Sequence, residues 1–160
     1  MMKTLLIGFV LTLCSFTVMS QSPATFMPAF KFYTAKNTGF TKAQVPVGKS
    51  SLVVFFDGTC GHCQKVMTML SARNKELEKV NVYLVSMDEF RTIDYFMDNY
   101  GKSLKGMKNV MLLQDRDQVF IPLFKPTKYP ALFVYGADQR LRIYSSDEKD
   151  IPKIFSMLKS

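Results

Sequence analysis

Two cysteines three residues apart, Cys60 and Cys63 in the stretch "FFDGTCGHCQKVMTML" (55–70), are the residues of this 160-residue chain best suited to chemistry. Three uses fit a CxxC pair: a dithiol/disulfide couple, part of a metal site, or a structural staple. A staple across two intervening residues closes almost no loop, so it constrains the unfolded chain little. A tetrahedral zinc site takes four ligands, or three plus water, and the chain adds only its single histidine, His62. A c-type haem needs histidine directly after the second cysteine, where Gln64 stands. Met67 and Met69 offer sulfur to copper, but Met67 falls on an apolar helical face where packing explains it. A redox couple explains the pair best. A metal-handling or binding module using the same two thiols without turnover is the alternative.

The flanking sequence must position that couple. Residues 52–56 are apolar throughout and read as a buried strand. "DGTCGHC" follows as a turn, and Cys63, Val66, Met67, Leu70 and Leu77 then recur at helical spacing. Cys60 thus stands at a helix start, with Cys63 one turn inside and facing the same side at a bridgeable separation. Unpaired N–H groups and the helix dipole favour a thiolate at Cys60, the expected nucleophile. Cys63, deeper on the apolar face, suits the resolving thiol. Gly61 is expected to let the turn bend and to keep the approach to Cys60 open. His62, when protonated, would favour the thiolate further and make the couple more oxidising. Asp57 reads as a turn-capping residue and as a candidate for proton transfer.

Beyond this unit, 30–33 reads as a first strand, 81–87 as a second buried strand and 110–115 as a third. Residues 88–101 carry helical periodicity, with Asp88 as N-cap and Gly101 as stop. Residues 101–109 read as a polar loop and "DQVFIPLFK" as a short helix around Pro122. "PALFVYGADQRLRIYS" is a hairpin turning at 136–138, and "DEKDIPKIFSMLK" ends the chain as an amphipathic helix. The order is that of an α/β sandwich with a mixed sheet.

At the N-terminus, Lys3 precedes an apolar segment, with Val18 and Ser20 at the −3 and −1 positions of a cut. We expect 1–20 to be a signal peptide, 21–29 a flexible leader and 30–160 the single domain. The apolar segment is short for a span of about 20 residues, though an uncleaved anchor is the alternative. Cleavage removes Cys14 and leaves Cys60 and Cys63 as the only cysteines, in a compartment where disulfides persist. The net charge of +8 comes from dispersed lysines and arginines without a basic stripe or stacking aromatics, which argues against nucleic acid. It reads first as a solvated, soluble face, with acidic proteins or anionic membranes as the alternative partners of a basic surface.

"VVFFDGTCGHC" and the later "KYPALFVYG" together resemble the thioredoxin superfamily over most of 30–158. The resemblance implies a three-layer α/β/α sandwich in which Tyr129–Pro130 is cis. It also implies a substrate groove formed by Tyr129, Pro130 and Thr59. The strand–helix insertion before Pro130 and the N-terminal extension resemble the exported TlpA-like branch. The Cys60-Gly61-His62-Cys63 tetrad is that of protein disulfide isomerases. A periplasmic or envelope protein follows, monomeric and without a bound cofactor. Its substrates would be cysteine-containing envelope proteins, and a membrane or envelope redox partner would recycle it. The family's Trp before the first cysteine is Thr59 here. Its buried strand acid falls at Val54, a glutamate of some exported reductases falls at Val66, and the residue before the proline is the large Tyr129. A peroxidase on a related fold would carry threonine or serine where Asp57 stands.

Overall fold

The computed structural model describes residues 22–159. The expected signal peptide, its cut and Cys14 lie outside these residues. No helix among them is long and apolar enough to cross a membrane.

In chain order the elements are β1 (Lys31–Tyr33), β2 (Gly39–Thr41), β3 (Ser51–Phe55), α1 (Gly61–Ala72), α2 (Asn74–Leu77), β4 (Asn81–Ser86), α3 (Phe90–Tyr100), α4 (Lys102–Lys105), β5 (Val110–Gln114), α5 (Phe120–Phe124), β6 (Ala131–Tyr135), β7 (Leu141–Ser145) and α6 (Ile151–Leu158). The strands form one mixed sheet in the order β2-β1-β5-β4-β3-β6-β7. β3, β4 and β5 run parallel, and β6 lies antiparallel beside β3. The two crossovers between parallel strands each carry helices, as parallel connections require. This is the thioredoxin-like α/β sandwich expected from the sequence.

β3, β4 and β6 are buried at every position because both sheet faces are covered. Leu52, Val54 and Phe56 face α1, α3 and α6, whose buried residues include Val66, Leu70, Phe96 and Ile154. Val53 and Phe55 face the other way, into an aromatic cluster with Phe32, Phe120, Phe124 and Phe133. Phe120 stacks on Phe55 with centroids 4.0 Å apart and on Phe124 at 4.2 Å. The second helical layer is thin: the five-residue α5 covers this face together with N-terminal side chains such as Met27 and Phe30. The segment before Pro130 therefore supplies a core wall.

Four expectations are corrected. Residues 22–29 of the expected leader are not a free arm, because Leu141 N–H donates to Thr25 O (2.7 Å), Met27 N–H donates to Gln139 O (3.0 Å), and Met27 is buried. Residues 39–41, outside every strand expected from the sequence, pair with β1 as a second strand. The helix after the cysteines stops at Arg73, and Leu77 reaches the core from the separate α2. Arg73 sits over the Phe155 ring at 3.7 Å and bonds Glu76 at 2.6 Å, so tertiary contacts hold the break. Finally, 101–109 is not all loop: α4 forms and buries Leu104.

Glu76 also receives Lys159 at 2.9 Å, joining α2 to the end of the chain. Arg73 first and Lys159 second hold its carboxyl down at about 2, against 4.5 ordinarily. A depressed carboxylate pKa contributes stability that is present above the unfolded value and lost as pH falls through the folded one. Stability should therefore drop between about pH 4.5 and 2 by an increment that Glu76→Gln lacks, as acid titration of the unfolding midpoint would show. Equal acid sensitivity of both chains would contradict the assignment.

Candidate active site

At the end of β3 the chain leaves the sheet at Phe56, whose N–H donates to Val85 O (3.0 Å). Asp57 then turns it: Asp57 Oδ1 accepts from Thr59 N–H (2.7 Å) and Thr59 Oγ1–H (2.6 Å), and Asp57 O accepts from Cys60 N–H (3.2 Å). The capping role read for Asp57 is the one its side chain fills. Thr59 is exposed and tied to this turn.

Cys60 is the N-cap of α1, with extended backbone, and its Sγ accepts from Cys63 N–H at 3.3 Å. One of the orphan amides of the helix end is thus aimed at sulfur, where it stabilises negative charge. Both cysteines are thiols, Cys60 half-buried and Cys63 buried at 1% exposure. Burial pushes the Cys63 thiol well up, and the neighbouring Cys60 and the Asp57 charge push the same way, while a hydrogen bond from the Asp57 backbone opposes them. The two sulfurs are therefore asymmetric: one is accessible and supported by an amide, the other protonated and sheltered.

A Cβ added at Gly61 would meet nothing within 4 Å, so the approach to Cys60 is open there. Gly61 is the first residue of α1 and has no left-handed φ, so the expected need for a bend is not the reason for glycine. His62 is 65% exposed, and its Nδ1 lies 3.0 Å from Glu148 Oε2. Lys65 is 3.8 Å from the other Glu148 oxygen. Glu148's own backbone amide, then His62, lower its carboxyl below the usual range. The histidine is therefore paired with a carboxylate brought in by the turn before α6, 86 residues away.

The Tyr129–Pro130 peptide is cis and leads into β6, which pairs directly with β3 (Phe55 opposite Ala131). Tyr129 packs on Phe55 with centroids 4.9 Å apart. Burial, then the charges of Asp57 and Asp88, push its phenol up to about 12, so it stays a neutral hydrogen-bonding group at physiological pH. A cleft of about 280 Å³ lies between His62, Tyr129 and Glu148. A wider groove of about 650 Å³ passes Gly61, His62 and Met69 along α1. Val54 and Val66 are fully buried and apolar, so neither position offers a carboxylate to the dithiol. Among the described residues no group of three or more His, Cys, Asp or Glu gathers as a metal site.

Asp88 is not the N-cap of α3, a place held by Glu89. Its Oδ2 instead accepts from Gly58 N–H (2.8 Å) and Ser86 Oγ–H (2.9 Å), tying the cysteine turn to the end of β4. Gly58 is closely packed, since a Cβ there would lie 2.8 Å from Thr92 Cγ2 and 3.1 Å from Asp88 Oδ2. A pattern in the sequence pointed to Asp88: Asp57, Asp88 and Asp115 each follow one of three adjacent parallel strands, the end where α/β sheets place their sites. Asp88→Ala should cost about 1–2 kcal/mol by leaving the Gly58 amide unpaired. It should also slow thiol–disulfide exchange of Cys60 with a small-molecule disulfide. Unchanged stability and reactivity would show that the turn holds without it.

A family model, described as the AhpC/TSA family, matches residues 23–143. No curated protein sequence matches the chain. Among solved structures, the thioredoxin domain of a thiol-disulfide oxidoreductase from Bacteroides vulgatus is 16% identical, with a TM-score of 0.65 over 86% of this chain and 97% of that one. MTB DsbF, solved in mixed oxidized and reduced forms, is 18% identical, with a TM-score of 0.66 over 86% and 99%. The bacterioferritin comigratory protein of Xanthomonas campestris, which has alkyl peroxide reduction activity, is 16% identical, with a TM-score of 0.64 over 81% and 90%. At these identities the structural likenesses carry the thioredoxin-like fold. The family match runs from the leader through both cysteines and Pro130 into β7, and by it the chain belongs to the AhpC/TSA family.

Proposed function

We propose that this chain is an exported protein thiol–disulfide oxidoreductase resembling the TlpA-like branch, with Cys60 as nucleophile and Cys63 as resolving thiol. The observation that carries the reading is the asymmetry of the pair: an amide-supported, half-buried Cys60 at a helix N-cap above a buried, protonated Cys63.

In the reducing direction the Cys60 thiolate attacks one sulfur of a substrate disulfide, forming a mixed disulfide and releasing the other sulfur as thiolate. Cys63 then loses its proton and attacks Cys60 Sγ. The Cys60–Cys63 disulfide forms, the second substrate thiolate leaves, and two electrons have passed to the substrate. Run backwards, the same steps oxidise a substrate dithiol. Asp57, whose charge is felt by Cys63, is our candidate to accept the Cys63 proton. Gly61 leaves the approach open, His62 with Glu148 tunes the charge beside Cys60, and Tyr129, Pro130 and Thr59 border the substrate. The dithiol carries the electrons, so no further cofactor enters. Cysteine-containing envelope proteins are the proposed substrates of a periplasmic or envelope monomer, recycled by an envelope redox partner.

The test compares two substrates. Turnover of a protein disulfide such as insulin with dithiothreitol as electron donor, well above consumption of an alkyl hydroperoxide, is the expected result. Peroxide consumption without disulfide turnover would move the reading to a peroxidase, despite Asp57 standing three residues before Cys60.

A further inference from the structure

We infer that the end of the domain opposite the dithiol binds an anionic membrane surface, so that Cys60 faces away from it. The inference is independent of the redox reading. β3, β4 and β5 are parallel and in register, Ser51 opposite Asn81 and Val82 opposite Val110. Lys49, Lys79 and Lys108 each stand two residues ahead of one of these strands, so the register aligns them along one end of the sheet. Arg140, one residue before β7, continues the row. With strands about 4.8 Å apart, the row from β5 to β7 is roughly 20 Å long. Among the described residues, none of the three lysines is in an ion pair.

The two ends differ in charge. The connections at this end (42–50, 73–80, 101–109 and 136–140) hold nine Lys or Arg against three Asp or Glu. Those at the dithiol end (34–38, 56–60, 87–89, 115–119, 125–130 and 146–150) hold five against eight. The dispersed +8 of the sequence is therefore a polarised charge once folded, and an anionic plane attracts one pole while repelling the other.

Apolar residues at the same pole favour lipid over an acidic protein. Val47 is 79% exposed beside Lys49, in a turn whose Gly48 N–H donates to Ala137 O (3.3 Å). Phe26 is 53% exposed, bridged to Arg140 and stacked under its guanidinium at 4.9 Å. Asp138 pairs with Arg140 at 3.9 Å and with Arg142 at 2.9 Å, a partial offset at the β7 side of the row. Exposed apolar side chains among cations are the composition of an interfacial membrane contact, where both terms act together.

The test is partitioning of the full chain onto vesicles of phosphatidylcholine, alone or with one quarter phosphatidylglycerol, followed by sedimentation. Neutral vesicles report what residues 1–21 contribute by their apolar segment. Stronger partitioning onto the anionic vesicles, weakening as salt rises, is expected. Each basic residue near an anionic surface contributes about fivefold, and reversal adds repulsion, so the Lys49→Glu, Lys79→Glu, Lys108→Glu triple variant should lose at least about two orders of magnitude. A control reversing Lys125 and Lys128 at the other pole should lose little, and an unchanged thermal midpoint would show the triple variant folded. Equal partitioning onto both vesicles, or equal loss in the control, would overturn the inference. Binding to soluble polyglutamate but not to anionic vesicles would also overturn it, in favour of an acidic protein partner.

Discussion

Replacing Cys60 with serine should abolish disulfide exchange, whereas replacing Cys63 with serine should leave the first attack intact and halt the reaction at the mixed disulfide. The two outcomes follow from the different surroundings of the sulfurs. Cys60 is the N-cap, half-exposed, with the Cys63 amide aimed at its sulfur and open space above Gly61. A hydroxyl there keeps the hydrogen bond but is not ionised, so no nucleophile remains. Cys63 is buried and held protonated, so it does not compete for an external disulfide. Its removal leaves Cys60 bonded to substrate with nothing positioned to release it. Mass spectrometry of each variant after incubation with a disulfide-bonded protein would show a one-to-one adduct for Cys63→Ser and none for Cys60→Ser. Adducts on the Cys60→Ser chain would reverse the roles.

The largest stability effect should come from the aromatic wall rather than from the site. Phe120 is fully buried and packs on Phe55, Phe124, Phe32 and Phe133, with two of the ring pairs stacked near 4 Å. Phe120→Ala would leave a cavity that these rings, fixed by strands on three sides, cannot collapse into. The expected cost is about 3–5 kcal/mol, a fall in Tm of about 10–20 °C for a domain of this size. Because Phe55 also carries Tyr129, exchange activity should fall below what the folded fraction explains. Ile121, its exposed neighbour in α5, is the control: Ile121→Ala should stay within about 0.5 kcal/mol. Comparable destabilisation by both substitutions would mean that α5 acts through helix formation and not through Phe120's packing.

What could be read from the sequence, and what could not, divides by the range of the interactions. The all-apolar run at 52–56, the helical spacing after Cys60 and the hairpin around 136–138 are local patterns, and the fold follows from their order. Arg73 shows the limit. Neither glycine nor proline marks the break after α1, because the break is held by the Phe155 ring and Glu76. The leader looked free because it lacks periodicity, yet one buried side chain, Met27, and backbone bonds to the β6–β7 turn fix it. At the site, the cysteines and Pro130 could be found from spacing and resemblance. Glu148 could not, because nothing in "DEKD" says which side chain will meet His62 across 86 residues. The charge polarity was likewise invisible in a dispersed +8, since it arises only when strand register aligns residues about 30 positions apart.

The central claim is that Cys60 and Cys63 form a working redox couple, and its most direct measurement is their equilibrium with glutathione buffers of graded ratio. Trapping the thiols at each ratio and counting them by mass should show one reversible two-electron transition, with both thiols appearing or vanishing together. A midpoint between about −270 and −120 mV would lie in the range spanned by thioredoxin and the dedicated oxidants. Its position would decide whether the protein reduces disulfides or donates and shuffles them. Two thiols that stay reduced across the whole series, or that take up glutathione singly without closing a disulfide, would contradict the account.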